Sequence, residues 1–357
     1  MNNFDQKKTL LSIVLVMAIS ITVVITLAWI ANKPLRQKNG FSRLFAKGTI
    51  TLLNVSPNND QATDICGVTK DLLYFSLPDP AKILVSNHIL QEKRYLFTNV
   101  SPNSKLSSNF NYLVSSSHIN LFAGNASSIY IIDLPSRNTS RFNISKSTFT
   151  RAISISSNSF ILRGFDSSLK TQDQIFIKVN PVNGLRQKEN NISEKKNDAG
   201  ITTDGILRYD SFSHSVIYTY FYRNEFLCLD TNLNLRYIGK TIDTLNTFQV
   251  VVGALNSQDG KTFTNISPSR IVNWQNCISN NRLFVNSMIQ ADNEEPKTFN
   301  TNSAIDVYNL TDGHYLGSFY IPLYKDERVR QIQIYNDLII VLYKNYITTY
   351  KMSLNNK

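Results

Sequence analysis

The chain has 357 residues, of which 42% are hydrophobic. That is enough for a substantial core and excludes a globally disordered protein. The net charge of +11 invites a nucleic-acid reading, but seven basic groups against Asp5 alone put +6 of it in residues 1–47. Those charges flank an apolar segment, where basic residues meet anionic headgroups. No basic–aromatic stripe runs along the remainder, so nucleic acid is excluded as a partner.

After a short tail (residues 1–8), residues 9–31 read as a transmembrane anchor. Twenty-two of them, 9–30, carry no charge. At about 1.5 Å per helical residue they span roughly 33 Å, the depth of a bilayer core. Trp29 stands at the exit, where an amphipathic ring suits the interface. It also occupies the position where a cleavage site wants a small side chain, which favours an uncleaved signal anchor. The downstream flank (Lys33, Arg36, Lys38) is more basic than Lys7 and Lys8, which taken literally leaves the body in the cytoplasm. A short amino-terminal tail before one apolar segment commonly exports the downstream domain. The expectation is a single-pass protein of the cytoplasmic (inner) membrane with a periplasmic, extracytoplasmic body.

Residues 32–46 are expected to form a basic connector, with Pro34 ending the helix and Phe41, Leu44 and Phe45 docking on the body. GTITLLNV (48–55) alternates like a strand and has no hairpin partner nearby.

From Asp64 a pattern repeats. LLYFSL (72–77), KILVSN (82–87) and RYLFTN (94–99) are strands of a first unit. Residues 112–144, 153–187, 208–239, 271–322 and 332–352 supply five more. Each later unit runs apolar strand, polar turn, apolar strand, loop, strand ending near Asp or Asn, turn, final strand. The markers Asp133, Asn180, Asp230 and Asn309 are 47 to 79 residues apart, compatible with stacked sheets that carry loops of variable length. Residues 188–200 and 290–303 read as exposed polar insertions. The sixth unit lacks its outermost strand while GTITLLNV lacks a sheet. Pairing them would remove two exposed edges. The fold class is therefore all-β: a six-bladed β-propeller over residues 47–357, closed by an amino-terminal strand and preceded by one transmembrane helix.

The chain resembles membrane-anchored six-bladed propellers of the NHL/TolB-like kind. More narrowly, it resembles single-pass Bacteroidota propeller proteins through NGFSRLF (39–45), FYRNEFLCLDTNLNL (221–235), IDVY (305–308) and SFYIP (318–322). The likeness covers nearly everything after the anchor. These motifs are not catalytic signatures, so the resemblance implies fold and anchoring and no activity.

Catalytic signals are sparse. His88, His118, His214 and His314 form no HxxxH or HxH pair, and His118 and His214 fall at turns that take Asn158, Asn281 and Asp337 elsewhere. Cys66, Cys228 and Cys277 make no CxxC; Cys228 in FLCLD reads as a buried hydrophobe, with a Cys228–Cys277 bridge left open. SQDGKTF (257–263) approaches a sialidase Asp-box, one residue short, and reads as a hairpin turn. No metal site or cofactor is implied, and the chain is read as more binding module than enzyme.

One constellation suggests ligand or partner binding. Arg151, Arg208 and Arg330 each lie six or seven residues before the first turn of their blades, with Arg270 a looser fourth. Guanidiniums at one channel mouth would suit carboxylate or phosphate groups by bidentate bonding. Pairing with nearby carboxylates such as Asp210 or Glu327 is the plainer reading. The leading function is a tethered extracytoplasmic module that binds an envelope protein or peptide, or acts as a scaffold. The alternative is a lyase or hydrolase acting on an anionic substrate at the channel mouth.

Overall fold

The computed structural model describes residues 3–31, 38–46, 48–101, 106, 109–169, 173–189, 191–257 and 260–354. They form two compact units, Met1–Lys38 and Asn39–Lys357. In the first, helix α1 (Asn3–Ala31) is 29 residues long. Its stretch Leu11–Ala28 is apolar and long enough to cross a membrane. Three hydroxyls there, on Ser20, Thr22 and Thr26, donate to the carbonyls four residues earlier at 2.7–2.9 Å. Such back-bonding lets a polar side chain sit in apolar surroundings without an unmet donor.

The second unit holds six four-stranded antiparallel sheets. Blade one is β2 (Asp64–Val68), β3 (Leu72–Ser76), β4 (Lys82–Asn87) and β5 (Arg94–Phe97). Blade two is β6 (Phe110–Val114), β7 (His118–Ala123), β8 (Ser128–Asp133) and β9 (Thr139–Asn143). Blade three is β10 (Ser147–Ser156), β11 (Ser159–Asp166), β12 (Ile175–Asn180) and β13 (Leu185–Glu189). Blade four is β14 (Gly205–Asp210), β15 (Ser215–Tyr220), β16 (Glu225–Asp230) and β17 (Leu235–Lys240). A separate hairpin, β18 (Val252–Ser257) and β19 (Gly260–Asn265), stands before blade five. That blade is β20 (Asn273–Ser279), β21 (Arg282–Ser287), β22 (Asn302–Asn309) and β23 (Tyr315–Pro322). Blade six is β24 (Gln331–Tyr335), β25 (Leu338–Leu342) and β26 (Tyr346–Leu354), with β1 (Gly48–Pro57) as its outermost strand. The sixth blade is thus closed from the other end of the unit, Gly48 opposite Leu354 and Pro57 opposite Tyr346, with a bulge at Leu52/Asn54.

The burial of each strand results from stacking the sheets face to face. Middle strands such as β15 are buried along their whole length, whereas β5, β9, β13 and β17 are largely exposed. A strand covered on both faces loses the alternation of a half-wet sheet and reads as a continuous apolar run. Each neighbouring pair of blades shares its own core: Ile340 and Leu342 of blade six pack with Leu73 and Phe75 of blade one, and corresponding cores recur at the other five joints.

The third strand of each of the first five blades ends in Asn87, Asp133, Asn180, Asp230 or Asn309. Each side chain accepts backbone N–H bonds from the succeeding turn, Asp230 from Asn232 and Asn234 at 2.8 and 2.9 Å. Such Asx bonding fixes the corner where the outermost strand starts. Blade six needs no such corner, because its outermost strand, β1, comes from the other end of the unit.

Some expectations change. Blade one has a fourth, innermost strand, β2, whose DICGV sequence is a short apolar run interrupted by Gly67. The insertion at 188–200 is not simply exposed: Asp198 is 6% exposed, and its carboxylate accepts the N–H groups of Gly200 and Thr202. Within 290–303 there is a short helix, α2 (Pro296–Asn300), and Glu294 is buried. Residues 32–37 of the expected connector, Lys47, and Gln258–Asp259 at the hairpin tip lie outside the described residues; Ser257 pairs with Gly260 on either side of that tip. Phe41 packs with Val272 and Ile289, Phe45 stacks on Tyr320 at 4.6 Å between centroids, and Leu44 is exposed. Cys66, Cys228 and Cys277 are buried free thiols; Cys228 lies in the core between blades four and five and Cys277 in that between five and six, so no bridge joins them.

Candidate functional site: the central channel

Each innermost strand (β2, β6, β10, β14, β20, β24) is hydrogen-bonded on one side only and touches the innermost strands on either side of it, closing a ring. The ring encloses a cavity of about 610 Å³ with walls from all six blades. The alternation of β24 shows how it is built. Ile332 and Ile334 enter the core between blades five and six, while Gln331, Gln333 and Tyr335 line the channel. Gln331 also ties blade six to blade one: its Oε1 accepts from Ile65 N at 2.6 Å and its Nε2 donates to Ile65 O at 3.2 Å.

Because strands alternate in direction, loops leaving second and fourth strands share one face, and those leaving first and third strands share the other. The first face carries the long connections, including 191–204, the β18–β19 hairpin and α2. The second carries short turns and all four histidines. There His118 stands 3.9 Å from Asp133, His314 is 3.1 Å from Asp312, and His214 bonds Tyr209 OH at 3.0 Å. Among the described residues no three His, Cys, Asp or Glu side chains are grouped to hold a metal ion.

Two of the four arginines in the sequence pattern line the cavity. Arg151 and Arg208 lie within β10 and β14, the innermost strands of blades three and four. Arg151 bonds Gly205 O at 2.9 Å and pairs with Asp204 at 3.1 Å. Arg208 Nε donates to Asn276 O at 3.3 Å, and among the described residues its terminal nitrogens have no bonding partner. Burial, the largest influence, pushes its pKa below the ordinary guanidinium value; the charge of Arg151 pushes the same way and that of Asp64, also on the wall, opposes it. Arg270 sits before β20 with its guanidinium 3.4 Å from the Asn39 side-chain oxygen. Arg330 is exposed and immediately precedes β24, where its backbone N–H bonds Leu342 O.

The amides that share the wall with these arginines went unread in the sequence. Asn109, Asn111, Gln275, Gln331 and Gln333 line the channel together with Phe221 and Tyr209. The one available signal was QIQIY, whose polar positions recur every second residue as a strand face does.

Asp204 stands beside Arg151. Burial is the main influence on it and pushes its carboxyl above the usual range, against the pull of Arg151.

No family model matches the chain, and no curated protein matches it. Several solved structures are similar to the chain over most of its length. A DUF4221 family member from Bacteroides vulgatus is 12% identical over 90% of this chain and 100% of its own, with a TM-score of 0.49. Virginiamycin B lyase from Staphylococcus aureus is 9% identical over 85% of this chain and 99% of its own, with a TM-score of 0.49. BamB from Moraxella catarrhalis is 9% identical over 87% of this chain and 99% of its own, with a TM-score of 0.42. At these identities no substrate or partner is carried over.

Proposed function

We propose that the protein is a propeller tethered to the cytoplasmic membrane by residues 9–31, with its body in the periplasm, and that it binds an envelope protein or peptide. The contact is made through the long-loop face and the channel that opens there. Acidic groups of the partner meet Arg151 and Arg208, with Arg270 and Arg330 contributing positive charge nearby. The observation that carries this reading is Arg208, a charge on the channel wall whose terminal nitrogens are unpartnered among the described residues. A partly desolvated cation without a counter-ion gains most from an incoming carboxylate, which also bonds it in a fork geometry. The test is cross-linking in intact cells, then purification through a carboxyl-terminal tag. A partner that co-purifies with the wild type and is lost with Arg151→Ala, Arg208→Ala and Arg330→Ala together supports the reading; retention by the triple variant rejects it.

Asp204 favours a second reading. A carboxyl raised by burial beside a guanidinium is the kind of group that performs acid–base work on an anionic substrate, as a lyase or hydrolase would. Turnover of an anionic substrate, abolished by Asp204→Asn with the fold intact, would move the assignment to an enzyme.

A further inference from the structure

Resting on the reading of the channel as a binding site, we infer that it receives the free carboxyl end of an extended peptide, with the terminal carboxylate held on Arg208 at mid-depth. Depth is the first argument. Arg208 is the fourth of six residues of β14, and its Nε reaches Asn276 O in the middle of β20. Five of the six innermost strands have five to seven residues (β10 has ten), which makes a channel about 17–23 Å deep. An acidic side chain on a chain lying across the mouth reaches only a few ångströms inward. A chain end can be threaded, and about five extended residues span the same ~17 Å.

The walls supply the second argument. Each innermost strand has one edge that pairs with no neighbouring strand, although side chains already bond Ile65, Gly205 O and Asn276 O. The side chains of Asn111, Gln275 and Gln333 add donors and acceptors of the same amide chemistry. A peptide backbone presents that alternation along its whole length, whereas a compact inorganic anion would use Arg208 alone. Phe221 and Tyr209 on the wall offer apolar surface to side chains. Charge gives the polarity of entry: Arg151 is paired with Asp204, which leaves Arg208 as the wall guanidinium with no carboxylate bonded to it, so the carboxyl end is preferred.

The experiment uses the purified full chain in detergent and titrates three probes by calorimetry. They are N-acetyl-penta-alanine as free acid, the same peptide as its carboxamide, and glucuronate as an acidic sugar. The free acid should bind at least tenfold more tightly than the carboxamide and more tightly than glucuronate. Arg208→Gln should bring the acid-to-amide ratio close to one, while Gln333→Ala should weaken both peptides alike. If Arg208→Gln lowers the melting temperature, Arg208→Lys takes its place, and a reduced ratio is expected there. Equal binding of acid and amide, a ratio untouched by the Arg208 variants, tighter binding of glucuronate, or no binding of any probe each overturns the inference. Loss of a co-purifying partner in the triple arginine variant together with equal acid and amide binding would sink only the end-on mode and leave the binding module standing.

Discussion

Arg43 donates from Nε and Nη2 to the two carboxylate oxygens of Asp306, at 2.7 and 3.1 Å, across 263 residues of sequence. Its Nη1 bonds Glu294 and, at 3.0 Å, Ile289 O, and all three charged side chains are essentially excluded from solvent. Ser318 also donates to Asp306, Tyr320 donates to Glu294, and residues 44–46 bond Ser318 through the backbone. The motifs NGFSRLF, IDVY and SFYIP thus meet in one buried cluster that fastens the segment ahead of β1 to blade five. Burial opposes the Arg43 charge, and the two carboxylates outweigh it, holding its pKa above the ordinary value.

Replacing Arg43 by Ala should therefore cost about 3–5 kcal/mol, because it strands two buried carboxylates. Adding Glu294→Gln and Asp306→Asn to the variant should recover part of that loss. Urea denaturation of the purified full chain measures both. A loss under about 1 kcal/mol would mean that the cluster is solvated.

Asp166 gives stability a pH dependence. Burial is its largest single influence and raises its pKa, but bonds from Ser168, Arg186 and Lys188 together hold the carboxyl well below the usual range. The folded state then binds fewer protons than the unfolded one, whose Asp titrates near ~3.9. The stabilisation is complete above that value and is lost as pH falls through it toward the folded pKa. Asp166→Asn should be less stable than the wild type at neutral pH, with the gap narrowing toward about pH 3. Urea midpoints measured across that range would refute this if the gap stayed constant.

These two clusters also mark where sequence reading stops. The blades were legible because doubly covered strands read as apolar runs, because Asp133, Asn180, Asp230 and Asn309 stop their third strands, and because GTITLLNV had no local partner. Arg43 was not legible as a core residue, since its partners lie about 250 residues away and a basic residue in a basic stretch looks like a membrane flank. The arginine pattern carried spacing but not depth. The same offset from a turn placed Arg151 and Arg208 inside the channel and left Arg330 exposed just ahead of its strand.

Gly164 tests how tightly the channel wall is supported. A Cβ there would stand 2.2 Å from Thr148 O and 2.5 Å from Phe149 Cα, against the backbone of β10 two residues from Arg151. Gly164→Ala should destabilise by about 1–3 kcal/mol through overpacking and should weaken anion binding as β10 shifts. Unchanged melting and binding would show that β10 has slack.

The three cysteines should be silent under native conditions. Burial raises the pKa of each thiol, that of Cys277 to about 12, so little thiolate forms near neutral pH. Iodoacetamide should leave the folded chain unmodified and label three sites after denaturation, and dithiothreitol should leave the melting temperature unchanged. A reductant-dependent melt would reveal a bridge.

Pairing of β1 with β26 clasps the two ends of the second unit together and so holds the ring of innermost strands, and its channel, closed. Thr51 lies opposite Lys351 in the β1–β26 pairing, and both side chains are exposed. Thr51→Cys with Lys351→Cys, treated with a short bis-maleimide in intact membranes, measures this directly. Rapid intramolecular cross-linking, seen as a mobility shift absent from either single variant, is the predicted result. Failure to cross-link in a folded protein would contradict the closed ring, and with it the channel.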